Sequence, residues 1–526
     1  MVSNEQLIKS DQCSRSTALD VERSFIVQAP AGSGKTELLI QRYLKLLTIV
    51  NDPEEVIAIT FTRKAATEMK LRVLAALKHA QNEVSPDKAH QCLTIDIAQV
   101  VLNRDRKLDW KLAEFPHRMR IQTLDGLSAG IARSMPLSSG LGGAPIILVD
   151  TEMQVIYRAA AAATFDWLTT SNPVRTSVEQ VLTHLDNNTG IYIEYVARML
   201  ESRDQWLTFI ASGASGKENM EMVREKLEQR ITNLIRERLK WVRKLIPTNL
   251  IDQLLRLTVY AAKNIRKNNP HHPLTAIDTL SELPGIGPTS TEIWRNIVDL
   301  LLTKTGTWRK TVNKNDGFPP QDKGERKEFI ALLQEISYHE ELRRRLQDVR
   351  VLPPHEYSNE QWQVLLSLFN LLPLAVTELR RLFSERGVAD HIEIALAANL
   401  ALGHTEDPSD MTLLLDYQIR HLLIDEMQDT SIAQYHFLQK LVAGWEEGDG
   451  RTLFCVGDPM QSIYRFRNAE VGQFLVARKQ GIGALSLEPL LLQQNFRSGE
   501  NLVHWFNKTF QHILPDKDDA SVGAIA

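Results

Sequence analysis

The sequence predicts an α/β fold, a parallel-sheet domain interrupted by a large helical insertion domain. Three observations predict it. Short apolar runs alternate with helix-compatible stretches between residues 25 and 150. The same alternation returns after about residue 387, at His421–Ile424 and Thr452–Val456. From Thr151 to about Arg386, helical periodicity dominates and strand signals vanish. Strands alternating with helices imply a parallel sheet. The expected division is 1–150 and 387–484 for the sheet domain, 151–386 for the insertion, and 485–526 for the start of a further lobe.

The first strand is the apolar run Phe25-Ile26-Val27. Ala29-Pro30-Ala31-Gly32-Ser33-Gly34-Lys35-Thr36 follows it. Glu37–Leu47 is then helix-compatible, with Leu38, Leu39, Tyr43 and Leu46 near one face. Strand, Gly-rich turn, Lys-Thr and helix make a phosphate-binding loop. The backbone N–H groups of such a turn, and the helix N-terminus behind it, point at phosphate oxygens. Lys35 would reach the β- and γ-phosphates, and the Thr36 hydroxyl would ligate Mg²⁺. Ala29 stands where the usual pattern has its first glycine, a position that tolerates Ala if it needs only a small side chain.

The chain of 526 residues is long enough for two to four domains with proper cores. Its net charge is −4, so any affinity for nucleic acid must come from a local basic surface. Cys13, Cys92 and Cys455 are too far apart in sequence for a metal spacing or a disulfide framework. The N-terminus is polar, and the longest apolar run, Val364–Val376, is broken by Ser367, Asn370 and Pro373. That run is too short for a membrane span, so a cytoplasmic protein without a membrane partner is expected.

Asp11-Gln12, Arg15 and Ala18-Leu19 precede the loop; a Gln there can read the adenine edge, since an amide offers donor and acceptor together. A polar N-terminal turn looks similar. Val56–Thr60 is a second strand, followed by Phe61-Thr62-Arg63 and a helix to about Lys78. Hydroxyls and an aromatic at a strand end suit a phosphate backbone and a stacked base. Equally, Thr62 suits a helix N-cap and Phe61 the core. Arg120–Thr123 starts a third strand, with a helix to Arg133, and Pro145–Asp150 reads as a further short strand.

Within the insertion, Glu221–Ile246 is a charged amphipathic helix with Arg230, Arg236, Arg238, Lys240, Arg243 and Lys244. Such charge is either a solvated face or a DNA contact. Leu283-Pro284-Gly285-Ile286-Gly287-Pro288 reads either as a plain loop or as the hairpin of a helix-hairpin-helix DNA binder. The basic stretch Thr303–Lys310 interleaves Trp308 with hydroxyls, as a single-strand contact or a surface turn would.

The second half of a nucleotide site lies at His421-Leu422-Leu423-Ile424-Asp425-Glu426. Asp425 would hold Mg²⁺, and Glu426 would orient and deprotonate the attacking water. Met427–Ser431 then opens a helix that Asp429 or Thr430 can cap. After the strand Thr452–Val456, Gln461 can sense a γ-phosphate by hydrogen bonds. Tyr464 and Phe466 alternate with Arg465 and Arg467 as a base-stacking ledge. Leu491–Ser498 contains Gln493-Gln494-Asn495-Phe496-Arg497, and an amphipathic helix runs from about Glu500 to Ile513.

Taken together, these segments resemble the UvrD/Rep-type superfamily 1 DNA helicases, most closely the RecB-like branch. The matching stretches run in family order from Asp11 to Ser498: AGSGKT, TFTRKAATEM, QTLDG, HLLIDEMQDTS, VGDPMQSIYRFRNA and QQNFRS. The resemblance implies a P-loop NTPase (RecA-like) sheet domain and an ATP-driven motor moving 3′ to 5′ on single-stranded DNA in repair or recombination. It implies that Gln12 reads adenine, that Phe496 stacks on it, and that Gln461 and Arg497 contact the γ-phosphate. It places DNA at Thr60, Phe61, Thr62, Thr123, Tyr464, Phe466 and Arg467. Asp125-Gly126 departs from the His-Ser of many members. The strings that the family carries later do not occur before Ala526, so the expectation is the front half of a helicase, truncated before the C-terminal motifs, with a second polypeptide carrying the missing helicase half, or a nuclease/helicase subunit, as partner. Two other readings compete: a degenerate half-motor that binds ATP and single-stranded DNA without unwinding, and an unrelated P-loop ATPase or kinase. The latter leaves GDPMQSIYRFR unexplained.

Overall fold

The structure is a computed structural model that describes residues 4–82, 89–137, 139–141, 143–148, 150–169, 173–211, 217–403, 409–462, 471–510 and 513–514. Two compact units emerge from the chain. The first comprises 1–164, 193–208 and 375–526; the second comprises 165–192 and 209–374. The insertion therefore begins later than the expected residue 151 and ends earlier than 386, and residues 193–208 return to the first unit in the middle of it.

The first unit holds a six-stranded sheet. Its strands are β1 (Phe25–Gln28), β2 (Val56–Thr60), β3 (Arg120–Thr123), β6 (His421–Ile424), β7 (Thr452–Gly457) and β8 (Glu488–Leu491), in spatial order β3-β2-β6-β7-β1-β8. Every pairing in it is parallel. Two short strands, β4 (Ile146–Ile147) and β5 (Val388–Ala389), form a separate parallel pair. Parallel strands are covered on both faces, so each strand must supply two cores. The alternation is visible residue by residue. Phe25, Val27, Val56, Ala58, Leu423, Phe454 and Val456 pack into one cluster. Ile26, Ile57, Ile59, Leu422, Ile424, Leu453 and Cys455 pack into the other.

Strand β8 pairs in register with β1, Phe25 opposite Glu488 and Gln28 opposite Leu491. The residues just after 485 thus belong to the phosphate-loop sheet, which moves the start of any further lobe beyond them. Helix α1 (Asn4–Thr17) carries Asp11, Gln12 and Arg15, a stretch whose sequence suits either an adenine contact or a polar turn. Helix α2 (Lys35–Leu47) follows β1, α3 (Arg63–Gln81) follows β2, and α4 (Ala89–Leu108) lies between α3 and β3 in the chain. Helix α5 (Leu124–Ser134) follows β3. The helix after β6 spans Ile432–Leu441, and its cap is Ser431 in a capping box with Gln434, not Asp429 or Thr430. Those two residues fall instead in a one-turn 3₁₀ segment, Met427–Asp429, and its C-terminal cap.

The second unit is helical, with its own core around Trp294, Phe318 and Phe329. The charged helix is present as Lys217–Leu245. In the Leu283–Pro288 loop, the Gly285 carbonyl accepts the Trp294 indole N–H at 2.9 Å. A one-turn segment, Pro273–Ile277, precedes this loop where a hairpin motif needs a full helix. Trp308 packs against the unit's core, and the Thr303, Thr305 and Thr307 hydroxyls bond one another, so this stretch is a structural turn. Helix Asn359–Arg386 is long and apolar enough to cross a membrane by length and composition, but Pro373 lies inside it and Leu371, Leu372, Ala375 and Val376 are buried.

Candidate nucleotide site

The C-terminal ends of β1, β6, β7 and β8 converge on the Gly-rich turn. Gly32 and Gly34 adopt φ of +79° and +76°, a left-handed conformation that costs a non-Gly residue. At Gly32 a second reason applies: a Cβ would lie 2.6 Å from Asn495 Oδ1 and 2.8 Å from Arg497 Cβ. Gly34 caps α2 without a side chain, which leaves the first-turn amides of that helix to a ligand. The Ala29 amide donates to the Gly457 carbonyl at 2.9 Å and Ala29 is fully buried, so a small residue is what this position needs. Ser33 is buried, and its amide donates to the Pro30 carbonyl at 3.0 Å. Thr36 stands in the first turn of α2 beside Lys35.

Lys35 Nζ donates to Glu426 Oε2 at 2.5 Å. Glu426 sits at φ +53°, ψ +44°, a left-handed conformation that strains a residue with a Cβ. Its amide donates to Asp425 Oδ1 at 3.0 Å. Burial, then the neighbouring Glu426 charge, push the Asp425 carboxyl up to about 7, while Lys35 pulls it down. A carboxyl in that position is ionised most readily by a cation placed against it. Among the described residues no group of three or more His, Cys, Asp or Glu could hold a metal by itself. Thr36 and Asp425 are oxygen donors of the kind Mg²⁺ takes when substrate phosphates complete its shell, so the pair fits that ion.

Gln428 links two strand ends. Its Nε2 donates to Glu426 Oε2 at 2.9 Å and its Oε1 accepts the Asp458 amide at 2.8 Å. Gly457 is required there, because a Cβ would lie 2.6 Å from Gln428 Oε1. Gln461 Nε2 donates to the Asp458 carboxylate, and the Gln461 amide donates to the Asp458 carbonyl at 2.9 Å. From the β8 side, Asn495 Nδ2 donates to the Ala31 carbonyl at 3.1 Å and the Phe496 amide to the Gly32 carbonyl at 2.8 Å. Asn495 Oδ1 accepts the Arg497 and Ser498 amides, both at 2.9 Å.

The structure therefore brings Lys35, Asp425 and Glu426 together and docks Phe496 and Arg497 on the phosphate loop. Gln12 is exposed on α1. Thr60 and Thr123 are register partners at the ends of β2 and β3. Thr62 accepts the Ala65 amide and Thr123 the Gly126 amide, both at 3.1 Å, so each caps a helix; Phe61 is half-buried. Tyr464, Phe466 and Arg467 lie outside the described residues. Sequence reasoning gave no role to Gln428, Asp458, Asn495 or the Asp11–Arg15 pair. Only the last had a legible signal, a carboxylate and a guanidinium four residues apart on one helix face.

Sheet, glycine turn and strand-end carboxylates define a P-loop nucleotide-binding α/β protein. The chain belongs to the UvrD/REP helicase family: the UvrD/REP helicase N-terminal domain matches residues 10–481. It is similar to an ATP-dependent helicase/nuclease subunit of Lysinibacillus sphaericus, 24% identical over 516 residues, covering 94% of this chain and 39% of that protein. The protein of the same name in Oceanobacillus iheyensis is 25% identical over 526 residues, 94% of this chain and 38% of that protein. The exonuclease/helicase subunit RexA of Lactococcus lactis is 25% identical over 517 residues, 94% and 39% respectively. The chain thus spans about two-fifths of the length of the curated relatives it matches.

Proposed function

We propose that this chain is the ATP-binding front of a DNA helicase that moves 3′ to 5′ on single-stranded DNA in repair or recombination, in the cytoplasm. The observation that carries the reading is the convergence of Lys35, Asp425 and Glu426 on one face of the Gly32–Gly34 turn, with Lys35 Nζ 2.5 Å from Glu426 Oε2. ATP is the substrate. Amides of the turn and Lys35 would hold its phosphates, and Gln461 and Arg497 would meet the γ-phosphate. Phe496 and Gln12 would meet the base. Thr36 and Asp425 would hold Mg²⁺, which supplies neutralising charge to the phosphate oxygens when bound. Glu426 would take the proton of the attacking water, and Lys35 must leave its carboxylate as the phosphate arrives.

DNA would run over the strand ends at Thr60, Phe61, Thr62 and Thr123, with Tyr464, Phe466 and Arg467 supplying stacking and charge. The relatives are named as subunits, which supports a second polypeptide as partner, carrying a nuclease or further helicase parts. The test is ATP hydrolysis by the purified chain with and without single-stranded DNA. Stimulation by DNA, lost in Lys35→Ala together with binding of a fluorescent ATP analogue, is the expected result. An unchanged affinity in that variant would remove the loop from the nucleotide site.

A further inference from the structure

Asp11 and Arg15 stand one helical turn apart on α1, and together they reach two other stretches of chain. Asp11 is fully buried. Its Oδ1 accepts the backbone amides of Gln493 at 2.7 Å and Gln494 at 3.2 Å, and its Oδ2 accepts Arg15 Nε at 2.6 Å. A carboxylate with those three donors is fully engaged and holds the segment entering Asn495 in one place. The second guanidinium nitrogen of Arg15 donates to the Ser33 carbonyl at 2.6 Å, inside the phosphate loop. The same guanidinium lies over the ring of Phe496, 5.3 Å from its centroid. Phe496 is otherwise 67% exposed.

One planar group therefore touches helix, phosphate loop and aromatic at once. Only Arg can do this, because its fork spends two N–H directions on acceptors while its plane packs on a ring. An exposed Phe without that backing would lose rotamer freedom on stacking, a cost subtracted from affinity.

We propose that Asp11 and Arg15 are positioning residues for the base of the nucleotide: they fix the Phe496 ring at a set distance from the phosphate loop, leaving ring surface for a purine. This deepens the nucleotide reading above and rests on it. The pair acts on the base and not on the triphosphate, and that asymmetry makes it testable.

The experiment is calorimetric titration of the purified chain with Mg-ATP and, separately, with inorganic tripolyphosphate, which lacks the base. In Arg15→Ala, ATP affinity should fall about tenfold, the scale of a desolvated cation–π contact. Tripolyphosphate affinity should stay within about twofold. Arg15→Gln keeps an N–H for the Ser33 carbonyl but has no cation, and should show the same base-selective loss even if the Ala variant does not fold. Arg15→Lys keeps a cation but has neither the fork nor the plane, so it should recover only part of the ATP affinity. Equal losses for both ligands, or no loss, would make Arg15 a structural residue and overturn the proposal. Equal affinity of the unmodified chain for ATP and tripolyphosphate would overturn it too, since no base contact would exist. If the unmodified chain binds neither ligand, or Lys35→Ala weakens neither, it is the nucleotide reading that fails.

Discussion

Lys35–Glu426 and Arg203–Asp390 are both cation–carboxylate pairs of the first unit, at 2.5 and 2.6 Å. Their surroundings differ. Arg203 and Asp390 are buried, and the pair is bidentate. Tyr157 donates its hydroxyl to Asp390 Oδ2 at 2.6 Å, and the Glu393 amide donates to Asp390 Oδ1. Burial alone would raise the Asp390 carboxyl, but Arg203 and Tyr157 hold it below its ordinary range. Lys35 and Glu426 are part-exposed, the ion pair is a single contact on an oxygen that also accepts Gln428 Nε2, and the carboxylate rides on a strained backbone. A saturated pair in a dry site is fixed; an accessible pair with one contact is exchangeable for a ligand. The same two charges therefore serve architecture in one place and, on the proposed reading, chemistry in the other.

The largest expected effect breaks the exchangeable pair chemically. Glu426→Gln keeps the shape and an oxygen for Lys35 but takes no proton from water. Hydrolysis should fall about 10²–10⁴-fold while ATP binding is retained. Steady-state phosphate release beside equilibrium binding checks it, and a wild-type rate in the variant removes Glu426 from the mechanism.

Breaking the fixed pair should act on stability instead. Arg203→Met leaves Asp390 in a dry site without its cation, which costs about 3–5 kcal/mol. The first unit's thermal midpoint should drop, while ATP affinity measured well below that midpoint stays unchanged. A variant as stable as the parent would show that Tyr157 and the Glu393 amide suffice to hold Asp390.

Much of this contrast was legible in the chain, and the rest was hidden for definite reasons. The phosphate loop and the strand ending in Asp425-Glu426 are local patterns, so period and spacing revealed them. β8 escaped notice because Glu488-Pro489-Leu490-Leu491 carries a proline, tolerated here on an edge strand. Gln428, Asp458 and Asn495 act through contacts across the sheet or between loops, and no periodicity encodes those. The Arg203–Asp390 pair spans 187 residues of sequence, and only the fold reveals it.

A third, intermediate effect separates the sheet from the buried pair by pH. His421 lies at the start of β6, at the opposite end of that strand from Asp425, and its Nδ1 meets Thr452 Oγ1 at 2.8 Å. Burial, then the Arg42 and Arg420 charges, lower its pKa to about 3. The unfolded chain takes up a proton below about 6.5, and the folded chain does so only near 3. This contribution is thus complete above about pH 6.5 and is lost at about 1.4 kcal/mol per pH unit as pH falls through that window. At pH 5 the loss is roughly 2 kcal/mol. Denaturation midpoints at pH 7 and pH 5 should diverge less in His421→Asn; equal divergence would assign the acid sensitivity to other groups.

The smallest effect asks whether one residue can belong to both regimes. Thr62 Oγ1 accepts the Ala65 amide at 3.1 Å and caps α3, an architectural role. Its hydroxyl still has a proton to donate, and a phosphate oxygen of DNA is a suitable acceptor. Thr62→Ala removes both functions and should cost about 1 kcal/mol of stability. Thr62→Asp separates them. Asp caps a helix as well as Thr does, so stability should hold. Yet a carboxylate has no proton to give and repels a phosphate, so affinity for a single-stranded oligonucleotide should fall, more steeply at low salt. Binding of the Asp variant at parental affinity across a salt series would make Thr62 a cap alone, as fixed in its role as Arg203.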